Sequence, residues 1–282
     1  MATTTVKGKD MKVTANGINV CYDDYGTGQM PLIFIHGFPF DKSTWTPQMT
    51  ALKKTQRVIA YDIRGFGGSS AGTEKVSISL FADDLMRFME ALEIEKAIVC
   101  GSSMGGYILL NAVQRYASRF EALILTDTQC IADKEEVREK RRITIADIEA
   151  NGLKSFTEGF IQNIFTQKSL DTDTDLVQSV RNIILSTPPE TVTNTLAALA
   201  DRCETCSMLK EISVPTRIIC GREDKVTPLL QSEVMRSEIA GATLHVIEHA
   251  GHVANLEKPN KFNKILLDFV NTYQHITEHL SV

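Results

Sequence analysis

No stretch of this sequence approaches the roughly 18 consecutive apolar residues of a membrane-spanning helix, so no spanning segment is expected. The opening residues, Met1 to Asp10, are polar and threonine-rich, without the apolar core of a secretory signal. Positive charge is not in excess: 30 Lys and Arg stand against 35 Asp and Glu, a net charge of −5. A dedicated nucleic-acid binder would carry a basic face, so that class is set aside. The densest charge run, Asp133 to Arg142, mixes both signs and reads as a solvated helix face. Cysteine is sparse, six residues scattered through 282. Cys203-x-x-Cys206 has no second Cys/His pair at zinc spacing and opens no thioredoxin-like unit, so no metal or redox role is expected of it. Cys100 and Cys220 end apolar runs and read as small core residues. A reducing, cytoplasmic setting fits this usage. Repeats and low-complexity tracts are also lacking, which removes solenoids and linkers from consideration.

What is there is an alternation. Lys12 to Ala15 and Ile18 to Tyr25 flank Asn16-Gly17, a pair that tolerates positive φ and signals a β-hairpin. Short apolar strands follow at Leu32 to Ile35, Arg57 to Tyr61, Ala97 to Cys100, Ala122 to Leu125, Thr216 to Cys220 and Thr243 to Ile247. Helical stripes lie between them: Ser77 to Leu92, Met104 to Tyr116, Pro228 to Ile239 and Asn260 to Tyr273. Such alternation predicts an α/β fold, a mostly parallel sheet with helices on both faces. The pattern breaks once. From Ala132 to Lys210 every periodic stretch is helical, predicting a helical cap, residues 132–210, inserted into a core of residues 1–131 and 211–282.

The chemistry concentrates at strand ends. Ala97 to Cys100 runs directly into Gly101-x-Ser103-x-Gly105, followed by a helical stretch. A strand–turn–helix with glycine on either side of a serine stands the hydroxyl above the sheet edge, at a helix N-terminus. A serine hydroxyl is a weak nucleophile and needs a base, and the base needs an orienting acid. Asp224 follows the strand Thr216 to Cys220, and His252 follows Thr243 to Ile247, with room for one helix and one strand between them. Asp127, just past Ala122 to Leu125, is a second carboxylate at a strand end; the turn Gly221-x-x-Asp224 favours Asp224 as the acid. An oxyanion would need two preorganised N–H donors. The amide of Met104, after the serine, is one; the amide of Phe38, in His36-Gly37-Phe38 after Leu32 to Ile35, is the other. His36 reads as a brace for that loop. His249 and His252 sit three apart on a turn rather than a helix face, so no metal is expected. Gly65-x-Gly67-Gly68 lacks the third glycine of a dinucleotide loop.

Taken together, His36-Gly37-Phe38, Asp62-Ile-Arg64-Gly-Phe-Gly67, Gly101-Ser-Ser103-Met-Gly105-Gly106, Gly221-Arg-Glu-Asp224 and Gly251-His252 resemble the α/β-hydrolase superfamily from about residue 11 to 272. Within it the chain looks most like the 3-oxoadipate enol-lactonase-like and non-haem haloperoxidase-like esterases, with Phe120 to Thr128 leading into the cap as in the lactonase-like group. The resemblance implies cofactor-free cleavage of a small-molecule ester, lactone or thioester through an acyl-enzyme. Haloalkane dehalogenases and epoxide hydrolases put Asp where this chain has Ser103, and C–C bond hydrolases usually put Asn where it has Ser102. A ligand-binding receptor or idle scaffold of this fold, and a perhydrolase or haloperoxidase, stand as alternatives. Phe156, Phe160 and Phe165 in the cap are candidate pocket-lining residues, core packing being the other fate of aromatics on an amphipathic helix.

Overall fold

The computed structural model describes residues 8–28 and 30–280; residues 1–7, most of the polar opening stretch, lie outside the described residues. Strands β1 (Gly8–Ala15) and β2 (Ile18–Tyr25) form the hairpin read from Asn16-Gly17. Both turn residues have positive φ, 47° and 75°, the handedness that matches strand twist in a two-residue turn. Then come β3 (Leu32–Ile35), α1 (Thr46–Leu52), β4 (Val58–Tyr61), α2 (Ile78–Ala91), β5 (Ala97–Ser102), α3 (Met104–Tyr116) and β6 (Phe120–Thr126). The long interval after β6 holds α4 (Glu135–Asn151), α5 (Leu153–Ile164), α6 (Gln167–Thr172), α7 (Thr174–Ser186) and α8 (Pro189–Ala200). The chain returns to the sheet in β7 (Thr216–Gly221), α9 (Leu229–Glu238) and β8 (Thr243–Ile247), and closes with α10 (Ala254–Glu257) and α11 (Pro259–Leu280).

The eight strands form one sheet in the order β1-β2-β4-β3-β5-β6-β7-β8. The hairpin joins antiparallel through β2 and β4, and every pairing from β4 to β8 is parallel. All residues of β3, β4 and β5 are buried, as expected of strands covered on both faces. Alternate residues divide between two cores. Ile33, Ile35, Val99, Leu123 and Leu125 pack with α2 and α3. Leu32, Phe34, Ile98, Cys100 and Ile124 pack with Trp45, Leu52, Phe262 and Leu266 from the other side. The segment after β6 has a small core of its own, where Ile161, Ile164, Phe165, Val177, Val180 and Ile184 meet Phe40 and Val253. Among the described residues no helix is long and apolar enough to cross a membrane.

Two sequence readings need correction. The cysteine usage reads as that of a reducing setting, yet Cys206 forms a disulfide with Cys130, 76 residues earlier, while Cys203 is free and exposed. The bond ties the β6 exit to the return from the helical segment. The charge run Asp133 to Arg142 is solvated along most of α4, but Asp133 is buried between Arg141 at 2.6 Å and Arg202 at 2.7 Å. Cys100 and Cys220 are core residues, both buried.

Candidate active site

The parallel strands β3, β5, β7 and β8 all end on one side of the sheet, where open α/β sheets place their ligands. Ser103 follows β5 and caps α3 with φ 51° and ψ −113°. That conformation costs about 1–3 kcal/mol and persists only when neighbours fix it. Here the Ser103 amide donates to the Thr126 carbonyl at 3.0 Å, and its own carbonyl accepts from the Thr128 hydroxyl at 2.8 Å. Close approach explains the flanking glycines. A Cβ on Gly105 would lie 2.4 Å from the Ile35 carbonyl oxygen, so no other residue fits that helix start.

His252, on the loop after β8, places Nε2 2.8 Å from Ser103 Oγ, while Nδ1 lies 2.8 Å from Asp224 Oδ2. Ser103, His252 and Asp224 are 8%, 1% and 6% exposed, so the chain of bonds is largely shielded from water. Asp224 divides its two oxygens. Oδ1 accepts from the amides of Val226 and Thr227 at 2.8 and 3.0 Å, a local turn, and Oδ2 takes His252 and the Thr227 hydroxyl at 2.8 Å. A turn acid and a histidine partner are therefore the same residue, one oxygen serving each purpose.

Charge follows geometry. Burial pushes the Asp224 carboxyl up, but the charge and hydrogen bond of His252 and the Thr227 donors outweigh it and hold the group below its ordinary value. Burial pushes the His252 imidazole down, and the Asp224 charge and hydrogen bond outweigh that and raise it. Asp127 joins this exchange through charge: when ionised it also raises the His252 imidazole. It accepts from the Gly221 amide at 2.8 Å and contacts the Thr126 hydroxyl at 3.1 Å. Burial, then the neighbouring Asp224 charge, pushes its carboxyl up to about 8, so it is mostly neutral at pH 7.

The loop after β3 reaches the same point. A Cβ on Gly37 would come 3.2 Å from Ser103 Cβ, so this backbone passes directly beside the serine. His36 is fully buried and neutral: Nε2 accepts from the Ile63 amide at 2.9 Å, leaving Nδ1 to donate to the Gly37 carbonyl at 2.9 Å. It braces the loop as read from sequence. Met104 opens α3, so its amide has no intrahelical acceptor. The Phe38 ring meets Phe156 and Phe160 of α5, centroids 6.1 and 6.2 Å away, and Phe160 also meets Phe40. Phe156 and Phe160 are half-buried, whereas Phe165 is fully buried among Ile161, Ile164 and Val177. His249 is exposed and 3.8 Å from Glu223, turned away from the Ser103 contact of its neighbour His252. Gly67 and Gly68 wrap the buried Asp62 carboxylate, which accepts from the Gly68 amide at 2.8 Å and pairs with Lys42 at 3.0 Å.

Sequence reading missed Thr227 and Thr128. Thr227 stands in view as Asp224-x-x-Thr227, the spacing of a side-chain-capped turn. Thr128 reaches Ser103 across 25 residues, which no local pattern records.

A family profile described as the alpha/beta hydrolase fold matches residues 30–259. The sequence is 31% identical to 3-oxoadipate enol-lactonase 1 of Acinetobacter baylyi over 271 residues, covering 96% of this chain and 97% of that protein. Among solved structures, an esterase from Thermogutta terrifontis superimposes with a TM-score of 0.89 at 29% identity, over 93% of this chain and 98% of the esterase. An enol-lactonase from Burkholderia xenovorans LB400 superimposes with a TM-score of 0.87 at 26% identity, over 93% of this chain and 100% of the lactonase.

Proposed function

Because the chain belongs to the α/β-hydrolase fold family, we propose that it is a serine hydrolase cleaving carboxylic esters or lactones through an acyl-enzyme. The observation that carries this reading is the buried relay from Ser103 Oγ through His252 to Asp224, two contacts of 2.8 Å each. Ser103 attacks the carbonyl carbon as His252 Nε2 takes its proton, and Asp224 holds the imidazolium that forms. The amides of Phe38 and Met104 donate to the oxyanion. His252 then returns the proton to the leaving alkoxide, and a water, deprotonated by the same nitrogen, releases the acid. For a lactone, alcohol and acid leave as one molecule.

In this reading residues 132–210 act as a cap, and Phe156 and Phe160 present an apolar surface to the acyl group beside Phe38. The similarity to an esterase and to enol-lactonases supports the bond type. Turnover of p-nitrophenyl butyrate by the wild type, with loss of ~10⁴ to 10⁶ in Ser103→Ala, tests it. A fluorophosphonate probe should label Ser103 and not the variant. Near-normal turnover in a folded Ser103→Ala protein overturns the assignment, and a wild type that binds esters without turnover returns the fold to a receptor role.

A further inference from the structure

Glu257 is the last residue of α10, five positions beyond His252, and its side chain is buried. Its Oε2 accepts from the Gly251 amide at 2.6 Å. Its Oε1 accepts from the Thr166 amide at 3.0 Å and the Thr166 hydroxyl at 2.8 Å, across 91 residues of sequence. Thr166 belongs to the helical segment, where it caps α6 by accepting from the Ser169 amide at 3.2 Å. Two residues earlier, the Ile164 carbonyl accepts from the amide of His252 itself at 2.8 Å. The two backbones approach so closely that a Cβ on Gly251 would lie 2.5 Å from the Ile164 oxygen. The loop Gly251–His252 is thus fastened to Ile164–Thr166 twice: once directly, once through Glu257.

We propose that Glu257 is a positioning residue that locks the histidine loop to the cap, making the alignment of His252 depend on a seated cap. The proposal rests on the hydrolase reading above. His252 must satisfy two partners, Ser103 and Asp224, at 2.8 Å each. A displacement of about 1 Å at such a site costs on the order of 10²-fold in rate. The three donors that converge on Glu257 require acceptors at both of its oxygens. A glutamine supplies one acceptor, and whichever way its amide is turned, the NH₂ faces a backbone N–H of Gly251 or Thr166.

Glu257→Gln is therefore expected to lower kcat on p-nitrophenyl butyrate by about 10- to 100-fold with KM little changed. Fluorophosphonate labelling of Ser103 should slow by the same factor. The pH midpoint of kcat/KM should move down, because the Asp224 contact that raises the imidazole is loosened. Thr166→Val, which removes one donor, should lower kcat about three- to tenfold, and Thr166→Ser, which keeps both, should lie nearer the wild type. A purely structural role would lower Tm while leaving kcat per titrated site and the pH midpoint unchanged, and that result overturns the proposal. If Glu257→Gln does not fold, equal kcat and equal midpoints in the two Thr166 variants overturn it. If the wild type shows no ester turnover, the hydrolase reading fails on its own. The clamp is then read by amide hydrogen exchange: faster exchange at Gly251 and His252 in Thr166→Val than in Thr166→Ser supports it, and equal exchange overturns it.

Discussion

Replacing Asp224 by Asn should be far more damaging than the same change at Asp127, and the hydrogen bonds say why. Asp224 Oδ1 accepts from two backbone amides, Val226 and Thr227, which cannot turn away. An asparagine must put its carbonyl oxygen there. Its NH₂ then occupies the Oδ2 position and points at His252 Nδ1 and the Thr227 hydroxyl. The hydroxyl can rotate to accept, but the imidazole can accept at Nδ1 only by moving its proton to Nε2. That proton faces Ser103 Oγ, and the ring can no longer take one from it. The serine-protease precedent for this wrong tautomer is a loss of ~10⁴ in kcat, about 5 kcal/mol of barrier. Asp127→Asn meets a different environment. The acid it replaces is already mostly neutral at pH 7, its carboxyl pushed up to about 8. An amide can still accept from the Gly221 N–H and can donate to the Thr126 hydroxyl, so a loss of only a few-fold is expected. Steady-state hydrolysis of p-nitrophenyl butyrate, normalised to active sites titrated with a fluorophosphonate, measures both. The opposite ranking in two folded variants would refute the reasoning and move the acid to Asp127.

Other expectations follow from the same contacts. The kcat/KM of the wild type should rise with pH through one ionisation above the ordinary imidazole value of 6.5, since the neutral ring is the base and Asp224 outweighs burial; a midpoint at or below 6.5 contradicts this. Asp127 keeps a proton in the folded state that the unfolded chain releases, so stability should fall as pH climbs from 3.8 towards about 8. The Tm advantage of Asp127→Asn over wild type should therefore widen between pH 5 and pH 8, and a constant difference would show that the buried carboxyl is not raised. Phe160→Ala removes the ring contacts with Phe38, Phe40 and Phe156 and should raise KM for hexanoate esters about two- to tenfold while acetate changes less; an unchanged chain-length profile counts against an acyl-facing ring. Turnover should survive EDTA, and loss with rescue by zinc would revive the His249/His252 pair as ligands.

How much of this could be read in advance depended on whether the signal was local. The central parallel strands announce themselves because burial on both faces demands an unbroken apolar run, and Leu32–Ile35 matches its bounds to the residue; the edge strand Thr243–Ile247 matches too, although it is mostly half-buried and His245 interrupts its apolar run. Ends were less legible where a strand continues into polar residues. β5 runs to Ser102 rather than Cys100, because Ser102 still pairs with Thr126 although it carries no apolar signal. The helix α1 was not anticipated: with seven residues it is too short to display a stripe, and one of its buried side chains is Gln48, satisfied by Asn255 far along the chain. The Ser, Asp, His order was legible for a topological reason. The loops that leave β5, β7 and β8 share one edge of the sheet whatever the length of chain between them.

What stayed hidden was the relation between the helical segment and the sheet. Cys130 and Cys206, and Thr166 and Glu257, each join residues dozens of positions apart, and each pair depends on how one layer is laid on another. Periodicity identifies which face of a helix is buried but not what it is buried against. Yet the sequence does constrain that docking indirectly. Gly251 precedes the histidine because the Ile164 carbonyl occupies the space where a side chain would stand, so the glycine beside His252 is as much a mark of the helical segment as of the loop. A substitution there, Gly251→Ala, should separate the helical segment from the histidine and lower kcat without touching a reacting atom. It would act on the same joint as Glu257→Gln from the opposite side. Because the two changes loosen two fastenings of one joint between the same two segments, their effects on kcat should combine to less than the product of the single losses.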